Sequence, residues 1–179
     1  VKSHLRTLAL VLAAGIALTG CAKQEESRLD MQAAAMRADA ILDAVLREIH
    51  PEVHWAHSFT STGTCEVTRR RVVMTSISAE RRGGFLGVVD RFWRKSGYSM
   101  TAVNNSAEFP AIYARTIDGY RISLRIGGKG QAFFQVDTPC AQKSEVLDST
   151  SPATAFLDPD AELIPRPNIH SDFWSAGGS

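Results

Sequence analysis

Asp118-Gly119-Tyr120-Arg121-Ile122-Ser123-Leu124-Arg125-Ile126 decides the fold class of this chain. From Tyr120 onward apolar and polar residues alternate strictly, the two-residue period of a strand. Tyr120, Ile122, Leu124 and Ile126 are expected to point inward, with Arg121, Ser123 and Arg125 on a wet face. Asp118-Gly119 in front is the strongest short hairpin signal in the chain. Gly127-Gly128-Lys129-Gly130 behind makes the next turn. Working outward, strand patterns cover 98–103, 111–116 and 132–138, so the second half reads as strands only.

Toward the N-terminus, Val53, Trp55, His57 and Phe59 alternate. After a Ser61-Thr62-Gly63 turn, 65–77 is a β-branched run with Val67, Val73, Thr75 and Ile77 on one face. Two helices flank these strands. Over 28–49, Ala38, Ile41, Leu42, Val45 and Ile49 form one apolar stripe, with Asp39, Asp43 and Arg47 opposite, and Pro51 stops the helix. Ser78 is a plausible N-cap for a second helix ending at Gly97. Its apolar side is Phe85, Leu86, Val88, Val89, Phe92 and Trp93; Gly83, Gly84 and Gly87 weaken it and point to close packing or a late start. The expectation is an α+β fold in the order α-β-β-α-β-β-β-β, a mostly antiparallel sheet of about five to six strands with two helices packed on one face.

The N-terminus carries a different signal. Lys2 and Arg6 precede an unbroken apolar run from Leu8 to Leu18, too short to span a membrane. Leu18-Thr19-Gly20-Cys21 then resembles the lipobox of bacterial lipoproteins. That resemblance implies a signal peptide over 1–20, cleavage before Cys21, and fatty acylation of its thiol. It implies export and a lipid anchor on the outer face of the cell membrane. Residues 21–27 would be a tether and 28–140 the globular domain. Val1 stands where methionine is expected, which fits a valine-type start codon or a missing upstream stretch. The chain has three cysteines. With Cys21 acylated, Cys65 and Cys140 remain, and an oxidising compartment favours a disulfide between them.

A second resemblance spans 65–140. Arg69-Arg70-Arg71-Val72-Val73-Met74-Thr75, Arg81-Arg82-Gly83, Phe85-Leu86-Gly87-Val88-Val89, Gly97-Tyr98, Asp118-Gly119-Tyr120, Gly130-Gln131 and Thr138-Pro139-Cys140 carry it. On these residues the chain resembles small lipoproteins of high-GC Gram-positive (actinobacterial) bacteria. The resemblance implies a recurring envelope domain and brings no catalytic role.

The formal net charge of +1 hides an asymmetry. Basic residues dominate 69–129. After Glu145 the balance reverses, with Asp148, Asp158, Asp160, Glu162 and Asp172 against Arg166. The acidic, Pro- and Ser-rich stretch 141–179 is expected to be mostly disordered. Phe173-Trp174 is its exception, either a stray aromatic pair or a short anchor docking on this domain or a partner.

The chain lacks a G-x-S-x-G elbow, an H-E-x-x-H and a Walker-type loop, so no catalytic residue is assigned. His50, His54 and His57 offer imidazoles, but Pro51 breaks helical spacing and a strand would point His54 and His57 to opposite faces. They read as surface histidines, with no metal or other cofactor expected. Arg69, Arg70, Arg71, Arg81 and Arg82 form the strongest charge feature. Export argues against nucleic acid, leaving an anionic-ligand surface for head groups or wall polymers, or a merely solvated face. The reading is a lipid-anchored, non-catalytic binding module with a protein, lipid or wall polymer as partner. The runner-up is a small envelope enzyme, hydrolase-like, for which His57, Asp90 or Glu108 would supply acid–base groups.

Overall fold

Asp30 begins the first helix: its carboxylate accepts the Ala33 backbone NH at 2.8 Å, satisfying one of the donors a helix start leaves open. A computed structural model describes residues 29–155 and 166–177. The expected signal peptide over 1–20, Cys21 and the expected tether over 21–27 lie outside the described residues, as do 156–165 and 178–179 of the tail. Helix α1 (Met31–Glu48) is followed by β1 (Trp55–His57), β2 (Ser61–Thr62) and β3 (Val67–Val73). Helix α2 (Ala79–Lys95) then leads to β4 (Ser99–Asn104), β5 (Ala111–Arg115), β6 (Arg121–Ile126) and β7 (Ala132–Asp137). Among the described residues the seven strands pair antiparallel throughout, in the order β1-β3-β7-β6-β5-β4, with β2 paired to β3. The α+β fold and its element order are as expected. The additional strand is β2, whose Ser61 and Thr62 pair with Thr68 and Val67 where the sequence reads as a turn.

Both helices cover one face of the sheet. Ala38, Ile41, Leu42, Val45 and Ile49 of the α1 side meet Phe85, Leu86, Val89 and Trp93 of α2 over Ile122, Leu124, Ile126, Phe134 and Val136. Each large apolar side chain buried there contributes about 1.5–3 kcal/mol before chain entropy is subtracted. At the end of α2 the Tyr98 NH donates to Trp93 O and the Gly97 NH to Arg94 O, with Gly97 at φ +78°. That is a Schellman stop, which glycine adopts without strain. Gly83 and Gly84 serve neither close packing nor a late start: α2 begins at Ala79, and a Cβ at either would meet nothing within 4 Å. Gly130 is the opposite case. Its φ is +69° and a Cβ would lie 1.9 Å from the Ile77 carbonyl, so this turn presses on the segment that enters α2.

The tail is the main correction. Within 141–155 and 166–177 the chain is docked on the domain. Ala141 NH donates to Cys65 O, Thr154 and Ala155 NH to Trp55 O, and Asn168 and Ile169 NH to Met74 O. Trp174 is buried in the core, edge-on to Phe85 at 5.2 Å, and its indole NH donates to Pro51 O at 2.6 Å. Phe173-Trp174 is thus an anchor onto this domain. Composition misses this because the order comes from backbone hydrogen bonds to existing elements and one large ring, neither of which needs periodic patterning. A disulfide joins Cys65 and Cys140 across 75 residues. In the chain-entropy account such a closure contributes about 4 kcal/mol.

Candidate functional site

Strand parity separates the arginines. Val67, Arg69, Arg71 and Val73 share the face under α1, where all four are buried. Arg69 Nε lies 3.2 Å from Asp39 Oδ2, and Arg71 Nη2 lies 2.7 Å from Asp39 Oδ1 and 3.6 Å from Asp43 Oδ1. Arg69 also donates to Thr60 Oγ1 and Leu147 O, and Arg71 to Ser149 Oγ. These two are therefore corrected from a ligand surface to a buried ion-pair network. Asp39 is corrected with them, since it faces the sheet rather than water. Both follow from α1 lying along β3, which faces the helix with Arg69 and Arg71 where apolar residues would be usual.

Arg70 points the other way, onto the open face. Pairing register lines up Val72, Phe133, Arg125, Ala111 and Asn104 across five strands, and beside them Arg70, Gln135, Ser123, Tyr113 and Ala102. Over these two rows runs a groove of about 440 Å³. Phe59, on the β1–β2 connection, and Phe109, on the β4–β5 loop, form its exposed rims. Phe133 is its floor, lying so close to Gly127 that a Cβ there would stand 2.8 Å from the ring.

The charged groups of the groove gather around one atom. Arg70 Nε donates to Gln135 Oε1 at 3.2 Å, and Arg125 Nη2 donates to the same oxygen at 3.3 Å. Arg70 also donates to Phe59 O and Ser61 Oγ, and its guanidinium sits 4.4 Å over the Phe59 ring. Burial lowers the Arg70 pKa from its ordinary value; Asp137 opposes this, and Arg125 lowers it again. Among the described residues neither Arg70 nor Arg125 has a carboxylate within salt-bridge distance. Two cations thus converge on a neutral amide oxygen above an apolar floor.

Arg81 and Arg82 do not join them. Arg81 stacks on Phe173 at 4.4 Å. Arg82 donates to Ala107 O and Glu108 O, pinning the loop that presents Phe109. Within that loop Asn104 Nδ2 donates to Phe109 O while its Oδ1 accepts the Ser106 NH. A larger cavity, about 540 Å³, lies behind the loop against Gly83 and Gly87, but its Asp90 is paired with Arg94 at 2.9 Å. His57 Nε2 bonds Ser151 O at 2.8 Å and His54 Nδ1 bonds Thr154 O at 3.2 Å, so both clasp the tail. Among the described residues no group of three or more His, Cys, Asp or Glu is placed to hold a metal, and no helix is long and apolar enough to cross a membrane. His57, Asp90 and Glu108 stand on β1, on α2 and in the β4–β5 loop, and among the described residues no side-chain hydrogen bond or ion pair joins any two of them.

Sequence reasoning placed Arg125 on the wet face without assigning it a role, and passed over Phe109, Phe133 and Gln135. The missing signal was register: the hairpins of 111–137 stack Arg125, Phe133 and Gln135 into one row or the next, while Phe109 comes to the rim on the β4–β5 loop. No protein-family model matches the chain, and comparison with curated proteins and with solved structures returns no match.

Proposed function

We propose that this chain is a lipid-anchored cell-envelope lipoprotein acting as a non-catalytic binding module through the open face of its sheet. An acyl group on Cys21 would hold it to the outer face of the cell membrane, with 21–27 as tether. The observation that carries the binding role is the groove in which Arg70 and Arg125 meet an aromatic floor, neither of them ion-paired among the described residues and the nearby Asp137 engaged by the Gln135 amide. Pockets of such size, mostly apolar with a few convergent polar groups, are the usual form of a small-ligand site. An exported domain has no access to nucleic acid, so the cationic groove is read as a site for another anion. The hydrolase-like alternative has no such observation behind it.

One experiment addresses both halves. Expressed with its own N-terminus, the chain is expected in the membrane fraction, and Cys21→Ser in the medium or held as unprocessed precursor. The Cys21→Ser protein is then titrated with anilinonaphthalene sulfonate, an aromatic anion, and one saturable site is expected. Unchanged membrane retention of Cys21→Ser overturns the anchor, and absence of dye binding overturns the open face as a binding surface.

A further inference from the structure

We infer that the groove on the open face takes a single-chain anionic amphiphile, its carboxylate or phosphate head between Arg70 and Arg125 and its acyl chain over Phe133. This rests on the proposed reading of the open face as a binding surface and names what that surface binds.

The arrangement of polarity argues for an amphiphile. Charged donors stand at one place only, where two guanidinium groups share Gln135 Oε1 at 3.2 and 3.3 Å. A neutral oxygen there satisfies geometry without charge. An anionic oxygen in its place would make charge-assisted hydrogen bonds to both groups, about twice the strength of neutral ones. Arginine's planar fork suits carboxylate and phosphate equally, so the head is defined as an anion and not as one of the two. Away from the arginine head site the lining is mainly apolar, with Val72, Ala111, Ile126, Phe133 and the rim Phe109, and the hydroxyl groups of Ser58 and Tyr113 are its exceptions. Asn104, the polar side chain at the far end, is already engaged by its own loop through both amide atoms. A wall polymer rich in hydroxyl groups would find few partners along that stretch, whereas an alkyl chain requires none. A protein partner is disfavoured by size, since specific interfaces bury about 800 Å² per side, and a groove of about 440 Å³ bounded by two side chains holds one small ligand.

The test uses the full chain bearing Cys21→Ser, so that no acyl group of its own competes. Displacement of bound anilinonaphthalene sulfonate is followed with oleate and with oleoyl lysophosphatidylglycerol, each below its micelle threshold. Oleyl alcohol, inorganic phosphate and phosphatidylglycerol vesicles serve as comparisons. Oleate, the lysolipid or both are expected to displace the dye, and which one does names the head group. Oleyl alcohol and phosphate are expected not to. Arg125→Ala should weaken displacement by about tenfold or more, while Arg115→Ala, exposed on the same face beyond the groove, should leave it unchanged. Equal displacement by oleyl alcohol, or an Arg125→Ala variant that binds as well as the parent, overturns the inference. So does binding to vesicles alone, which would mean contact with a bilayer surface, or a stable dimer that excludes both lipids. Dye binding that no lipid displaces would refute this inference while leaving the open-face reading intact; loss of dye binding altogether would refute both.

Discussion

Arg69 and Arg71 on one side of β3, and Arg70 on the other, come from a single run of three and end in opposite electrostatic situations. Beneath α1, Asp39 bridges the first two at 3.2 and 2.7 Å in a space closed to water. On the open face, Arg70 and Arg125 share the side-chain oxygen of Gln135, and the further hydrogen-bond partners of Arg70, Phe59 O and Ser61 Oγ, are neutral as well. Taking a guanidinium out of water is costly, and the inner pair offsets that cost with carboxylates, hydroxyls and a carbonyl. The outer pair keeps its positive potential available. Charge density in the sequence therefore says little about function; the neighbours across the strand decide whether a cation is structural or free to act.

The largest expected effect breaks the inner side. Asp39→Ala leaves two buried guanidinium groups without their shared counter-charge and should destabilise the fold by about 3–5 kcal/mol. Chemical denaturation would read this as a lowered midpoint; a loss under about 1 kcal/mol would mean the network is more solvated than its burial implies. A gentler change sharpens the same point. Replacing the cluster with apolar residues, as Asp39→Leu with Arg69→Met and Arg71→Met, should be neutral or stabilising by about 1–4 kcal/mol, as buried ion pairs often are against well-packed isosteres. Strong destabilisation in that triple variant would show that the ions specify how α1 sits on the sheet. The smallest effect belongs outside. Arg125→Ala, at an exposed position, should move stability by no more than about 0.5 kcal/mol. A larger loss would erase the contrast between the two faces.

Much of the scaffold was legible beforehand, for a physical reason. Tyr120, Ile122, Leu124 and Ile126 alternate cleanly and are buried, and the α1 stripe from Ala38 to Ile49 recurs at helical spacing and is buried. Burial of one face leaves that trace in any single strand or helix. Arg69 and Arg71 were misplaced even though they share parity with Val67, Val73, Thr75 and Ile77, because charge was weighed above period. The groove was legible only in part. Gln135 carries no local signal, and its meaning arises when β3, β7 and β6 come into register, a non-local event. The tail was misjudged for the same reason, since Trp174 acquires its partners from Phe85 and Pro51, far away in sequence.

The position of Trp174 has a consequence for timing. A domain cannot close its core before the residues that fill it have been delivered, and here a fully enclosed indole comes from very late in the described chain. Helices and hairpins can form as they emerge, yet the seam between Phe85 and Pro51 stays open until residue 174 arrives. Folding during synthesis proceeds at the pace of elongation, about 5–20 residues per second. The final clasp must therefore wait for nearly every preceding residue, so the domain reaches its sealed state only after the chain has been released this far from whatever machinery is threading it.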